Sequence, residues 1–264
     1  MRRKKKILSA AAAVILLAAA ACGAYALRQY WQEAHAGSRY EKIREETGSG
    51  MPEEGPEETE GAEDPADHEP PEIPIDFAAL QERNPEAYAW ITIPGTAVDY
   101  PILQSGTDNG YYLTHSIDGT LSPEGSIYTE DYNSRDFEDP NTVIYGHDME
   151  NGSMFQNLLN YQDRSYFDSH REVIIYTPDA VRHYRVFAAY LFDDRHLMQS
   201  FEFDNPWIYE AYLNMILSIR DMNSCIDTET EVGRDDKIIT LSTCYGLQED
   251  VRYLVQAVLV SIEK

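Results

Sequence analysis

Six segments of this chain are dense in Val, Ile, Tyr and Thr: Ala97 to Leu103, Thr142 to Gly146, Glu172 to Thr177, His183 to Leu191, Lys237 to Thr243 and Arg252 to Ile262. These residue types fit a pleated, half-buried surface better than a helix. Turn residues punctuate them at Pro94-Gly95, Asp108-Asn109-Gly110, Asp118-Gly119 and Pro123-Glu124-Gly125. Arg28 to about Arg44 is weakly helical and mixed in charge, and two stretches beyond it read as helical. Asp76 can cap a short helix that runs to Asn84, with Pro85 opening a second turn that ends near Trp90. Asn205-Pro206 can start another, with Ile208, Tyr212, Met215, Ile216 and Ile219 on one face up to Arg220. No internal repeat is visible. Many strands with two helical decorations predict a mainly β fold, a closed or nearly closed barrel.

The strands begin only after residue 75. Arg2, Arg3, Lys4, Lys5 and Lys6 open the chain, and no charge follows from Ile7 to Leu27. A helix of that length spans roughly 30 Å, about one bilayer core. The basic cluster stays inside, so residues 1–27 are expected to be a signal-anchor that places the rest outside the cytoplasm. Ala24-Tyr25-Ala26 also fits a cleavage site, and lipidation at Cys22 ranks third. Residues 51–75 hold ten acids, six prolines and no Lys or Arg. Such a stretch buries too little apolar surface to offset its ordering entropy. Residues 28–75 are therefore expected to be an extracytoplasmic linker, and residues 76–264 one domain. The net charge of -25 excludes nucleic acid as a partner, because phosphate neutralisation needs clustered cations.

Three cysteines do not make a disulfide scaffold. Cys244 stands out, at the carboxyl end of the run Ile238-Ile239-Thr240-Leu241-Ser242-Thr243-Cys244. Cys225 has no such setting and reads as an inert small hydrophobe. A cysteine nucleophile needs a basic or cationic neighbour to raise its thiolate fraction. Among seven histidines, His115, His170, His183 and His196 lie in polar stretches and read as solvated or structural. His147 instead ends the β-run Val143-Ile144-Tyr145-Gly146. Arg252 begins a run after seven intervening residues from Cys244, and a hairpin-like return can bring its guanidinium beside the thiol. There it can hold a developing oxyanion. No metal cluster or calcium loop of defined spacing is visible, and no cofactor is expected.

Three stretches, in order, resemble the sortase family, class B in particular. They are Thr240 to Cys244 with Arg252; Asn141 to Met149 with Gly152, Met154 and Phe155; and the helix leading to Trp90, followed by Tyr100-Pro101, Asp108-Asn109, Tyr112 and Leu113. The helix expected near Asn205 to Arg220 also fits class B. The chain closes on a strand at Lys264 with no second apolar run, which favours class B over the pilus-building class C. The resemblance implies an eight-stranded sortase barrel with an N-terminal helix and a helix in the long connection before the Cys strand. It implies a transpeptidase with catalytic Cys244, His147 and Arg252. Its partners would be surface proteins bearing an Asn-Pro-x-Thr-Gly-like sorting signal, cleaved after Thr, and an amine of peptidoglycan or of a lipid-linked precursor. Asn109 and Leu113 match a stretch that lines the signal groove, and Ser242 and Thr243 flank the thiol as further groove candidates.

Two rivals remain open. A cysteine protease or wall hydrolase would use the same residues, although the papain order places Cys before His, whereas His147 precedes Cys244 by 97 residues. A membrane-tethered scaffold would leave Cys244 buried and unreactive, with the three groups far apart.

Overall fold

The computed structural model of the protein describes residues 18–24, 27, 39–48, 71–246 and 248–264. The expected anchor lies mostly outside the described residues, as does the acidic stretch up to residue 70. Residues 18–24 are helical and exposed, and among the described residues no helix is long and apolar enough to cross a membrane.

The domain opens with helix α1, residues 39–47. Composition assigned these residues to the linker, but Tyr40 and Ile43 are fully buried in the main core. Tyr40 meets the Tyr100 ring edge-on at 5.1 Å, and the Arg44 guanidinium lies over the same ring at 5.3 Å. A mixed-charge helix can hide one tyrosine and one isoleucine at i, i+3, and that is all the apolar face this helix has. Helix α2 (Phe77–Arg83) follows, with Asp76 accepting from the Ala79 N–H at 2.9 Å as its cap.

The turn expected from Pro85 to Trp90 is instead strand β1 (Ala87–Thr92), every residue of which is buried. Asn84 turns extended at the end of α2 and stops the helix. The next residues then pair on both sides, with β2 (Asp99–Leu103) and with β5 (Glu172–Thr177). Burial on two faces and two ladders outweighs the weak local preference of an Ala-rich run. The short helix α3 (Tyr111–Thr114), the two-residue β3 (Ile127–Tyr128) and β4 (Asn141–Tyr145) come next. A 3-10 segment (Gln156–Gln162) and α4 (Arg164–Ser169) lead to β5 and the long β6 (Ala180–Asp193). Helices α5 (Leu197–Ser200) and α6 (Pro206–Leu217) fill the connection to β7 (Cys225–Ile226), then β8 (Ile238–Tyr245) and β9 (Gln248–Glu263).

The strands run β5-β1-β2-β3-β4-β8-β9-β6, and β6 pairs back with β5. Eight strands thus close into a barrel, and β7 adds two residues to the outside of β6. The barrel is mixed: β2–β3 and β4–β8 are parallel, the other pairs antiparallel. Strand alternation divides the side chains. Ile144, Tyr253 and Val255 face the main core, whereas Val143 and Leu254 face a second cluster under α6. Asn205 caps α6 by accepting from the Trp207 N–H at 3.1 Å, and Pro206 occupies its first turn. The face it buries is Tyr209, Tyr212, Leu213 and Ile216, not the face through Met215, which is 41% exposed.

Candidate active site

Two strand ends and one loop build the site. Antiparallel pairing of β8 with β9 sets Cys244 directly opposite Arg252. Parallel pairing of β4 with β8 aligns Tyr145 with Ser242, and the Gly146 N–H continues the ladder to the Ser242 carbonyl at 3.1 Å. His147 therefore emerges beside the thiol because two parallel strands end at the same level. Gly146 is required for this. A Cβ there would lie 2.5 Å from Ile127 Cδ1 and 2.7 Å from the Phe155 ring. Phe155 in turn donates its N–H to the His147 carbonyl at 2.9 Å, and Asp148 and Met154 form an antiparallel bridge.

The His147 imidazole has two partners. Its Nε2–H donates to the Leu113 carbonyl at 2.7 Å, and the ring lies beside the Cys244 thiol, each shifting the other's titration. Cys244 raises the His147 pKa above its ordinary value, against burial and with help from the Leu113 carbonyl and Glu124. Cys244 moves the other way. His147 holds the thiol below its ordinary pKa, against burial, and the Arg252 charge adds to the effect. The pair is thus biased toward thiolate and imidazolium, and its two titrations are coupled. Asp148, pushed up by burial, accepts from the Gly246 N–H at 3.2 Å and opposes the thiolate.

The three groups open on a cleft of about 340 Å³. Leu113, Ser242 and Thr243 line it, and Leu113 is 45% exposed. Asn109 does not come to that wall. Its amide donates to Asp131 Oδ1 at 2.6 Å, and its carbonyl accepts the Asp131 N–H at 2.9 Å. Tyr128, Tyr145, Phe192 and His196 also line the cleft, and none was singled out from sequence. His196 had read as solvated or structural; its Nε2 meets Glu130 Oε2 at 2.5 Å across 66 residues of chain. Only the end of the long β6 run hinted that this segment overhangs the site. Cys225 behaves as expected: it is buried, its thiol is raised by burial, and no disulfide joins it to Cys244. Among the described residues, no cluster of His, Cys, Asp or Glu is arranged to hold a metal.

A closed eight-stranded mixed barrel with Cys, His and Arg gathered at one end defines a class of enzyme. The chain belongs to the sortase family, whose domain profile matches residues 91–260. Within the family it falls in class B. It is 34% identical to sortase B of Listeria monocytogenes over 192 residues, 72% of this chain and 76% of that relative. The crystal structure of sortase B from Bacillus anthracis superposes with a TM-score of 0.67 at 30% identity, covering 89% of this chain and 99% of that one. A substrate complex of Staphylococcus aureus sortase B gives 0.60 at 26% identity, with 70% and 84% covered. The protein is accordingly a sortase transpeptidase, a cysteine enzyme associated with the cell envelope.

Proposed function

We propose that Cys244 cleaves an Asn-Pro-x-Thr-Gly-like sorting signal after Thr and transfers the protein to a cell-wall amine. The observation that carries this reading is the register of Cys244 opposite Arg252, with His147 beside the thiol on the same cleft. The thiolate attacks the Thr carbonyl and the carbonyl electrons move onto oxygen. Arg252 stabilises that oxyanion, a role its fixed guanidinium suits. As the C–N bond breaks, the leaving amine takes the imidazolium proton from His147. With Nε2–H engaged by the Leu113 carbonyl, Nδ1 is the nitrogen left to exchange this proton. A thioacyl-enzyme results. An incoming amine of peptidoglycan or of a lipid-linked precursor then attacks it, giving its proton to His147 and expelling the thiolate. Leu113, Ser242 and Thr243 hold the signal in the cleft. Asn109 joins them by contacting the signal beyond the described wall. The uncharged run 7–27 tethers the enzyme at the outer face of the membrane.

The test is to incubate the protein with a panel of sorting-signal peptides and triglycine, following products by mass spectrometry. Cleavage after Thr by the wild type, its loss in Cys244→Ala, and a triglycine-ligated product are expected. Hydrolysed peptide without ligation would mark a protease instead. Absence of any cleavage, with an inert Cys244, would favour a scaffold.

A further inference from the structure

Helix α1 reaches the active site by two separate routes, and both converge on His147. The first runs through the turn at residues 122–126. The Tyr40 hydroxyl donates to the Gly125 carbonyl at 2.9 Å, and it meets Ser126 Oγ at 3.3 Å. Arg39 reaches Ser122 Oγ at 3.3 Å and Glu124 Oε1 at 3.2 Å. That turn is pressed against the strip bearing Leu113. The Ser126 N–H donates to the Tyr112 carbonyl at 2.9 Å. Gly125 has φ 55°, and a Cβ on it would lie 2.6 Å from the Leu113 carbonyl oxygen. This is the oxygen that accepts from His147 Nε2. The second route runs through Tyr100. Its ring packs on Tyr40, and its hydroxyl accepts the Met154 N–H at 3.0 Å. Met154 holds φ 57° and pairs with Asp148, and the next residue donates to the His147 carbonyl.

One carboxylate on the first route is unusual. Glu124 is 1% exposed, its Oε1 is paired with Arg39, and its Oε2 has no hydrogen-bond partner. A buried carboxylate with a spare oxygen projects its field over nearby groups, because little water screens it. His147 is one of the groups it acts on.

We propose that α1 is a positioning clamp for the imidazole of His147. Tyr40 fixes the imidazole's carbonyl acceptor through Gly125 and the backbone of His147 through Tyr100 and Met154. Arg39, bonded to Ser122 and paired with Glu124, ties the same turn to α1. The proposal rests on the reading of His147 as the group that donates and takes the proton. The groups facing the Cys244–His147 pair are Glu124, Asp148, Arg252 and Tyr128, with Arg39 behind Glu124. Of these, α1 controls only the Arg39–Glu124 pair. A membrane-proximal helix that merely spaces the barrel from the tether would need none of these contacts.

The experiment compares full-length wild type with Tyr40→Phe and Glu124→Gln. Tyr40→Phe keeps the ring packing and removes the hydroxyl; Glu124→Gln keeps the shape and removes the charge. Two pH profiles are recorded from about pH 5 to about pH 9, the range that spans both groups. One is peptide cleavage; the other is alkylation of Cys244 by iodoacetamide, mapped by mass spectrometry. Thermal unfolding is recorded alongside. Both variants weaken support for the imidazolium. The basic limb of cleavage should move to lower pH, and alkylation below the ordinary thiol range should fall about three- to tenfold, equivalent to half to one pK unit. Profiles that superimpose on wild type overturn the clamp, with or without a lower unfolding temperature. A shifted alkylation profile in a protein that cleaves no peptide keeps the clamp and overturns the proposed function. Cleavage with unshifted profiles does the reverse.

Discussion

Cys244 and Cys225 share a fold but not an electrostatic setting. Burial raises the Cys225 thiol, whereas His147 lowers that of Cys244. The thiolate is the reactive species, so near neutral pH iodoacetamide should modify Cys244 well ahead of Cys225. Replacing His147 by Ala removes the imidazolium that stabilises the thiolate. Alkylation of Cys244 should then rise only at higher pH, near the ordinary thiol range, as mapped by mass spectrometry. An unchanged profile in His147→Ala would show that Arg252 alone sets the thiol. Gly146→Ala tests the strand end itself. Its Cβ would collide with Ile127 and with Phe155, which is buried and cannot retreat cheaply. We expect a loss of about 1–3 kcal/mol in denaturant unfolding, the ordinary cost of overpacking, together with reduced activity. Cys244, His147 and Arg252 could be brought together from sequence because each lies in or just beyond a strand and needs only the neighbouring strand for placement, although β9 starts four residues before Arg252. Glu124 and His196 could not be placed this way. Their surroundings come from Arg39 and Glu130, which lie 85 and 66 residues away in sequence.

Helix α6 shows how far a periodicity can be trusted. The sequence permits two apolar faces about one residue apart, one through Met215 and one through Leu213. The structure buries Tyr209, Tyr212, Leu213 and Ile216, a spacing of i, i+3, i+4 and i+7. Polar chemistry makes the choice. Gln256 on β9 donates to the Tyr212 hydroxyl at 2.7 Å and to Thr240 Oγ1 at 2.8 Å. The Tyr209 hydroxyl donates to the Pro140 and Asp236 carbonyls, each at 3.0 Å. Two tyrosines therefore dictate the rotation, and a hydrophobicity count cannot see their partners. Ile216→Ala should cost about 2–5 kcal/mol by denaturant unfolding, as a large-to-small core change does. Met215→Ala should stay within about 0.5 kcal/mol. Equal costs would place the helix on the other face. Strand β1 teaches the same lesson. Its local signal is a weak continuation of a helix, and only the partners β2 and β5 make it a strand.

The barrel as a whole was readable as a class of fold because strand-rich segments outnumber helical ones. Closure was expected too, from the number of strands and from the family resemblance. The pairing that achieves it, β1 with β5, joins segments far apart in sequence that no local pattern matches, whereas β5 and β6 meet across a tight turn. The connection that follows β7 is secured to the start of β5 by one ion pair. Arg171 donates to Asp227, which is 5% exposed and also accepts from Thr230 at 2.6 Å. Burial pushes the Asp227 carboxyl up, but the Thr230 and Arg171 bonds prevail and hold it well below the ordinary carboxylate range. Asp118, bonded to Arg83, is lowered as well. A carboxyl lowered in the folded state contributes stability that is fully present above its unfolded pKa, about 3.9 for Asp. That contribution is lost as pH falls from there toward the folded value, because the unfolded chain binds the proton first. The unfolding temperature should therefore drop as pH is lowered below about 4. In Asp227→Asn the protein should be less stable at neutral pH, since Arg171 is left without its charge partner. It should also lose less of its remaining stability on acidification. If Asp227→Asn and wild type fall in parallel, the acid lability of the barrel belongs to other carboxylates, and the Arg171–Asp227 pair does not hold this connection in place.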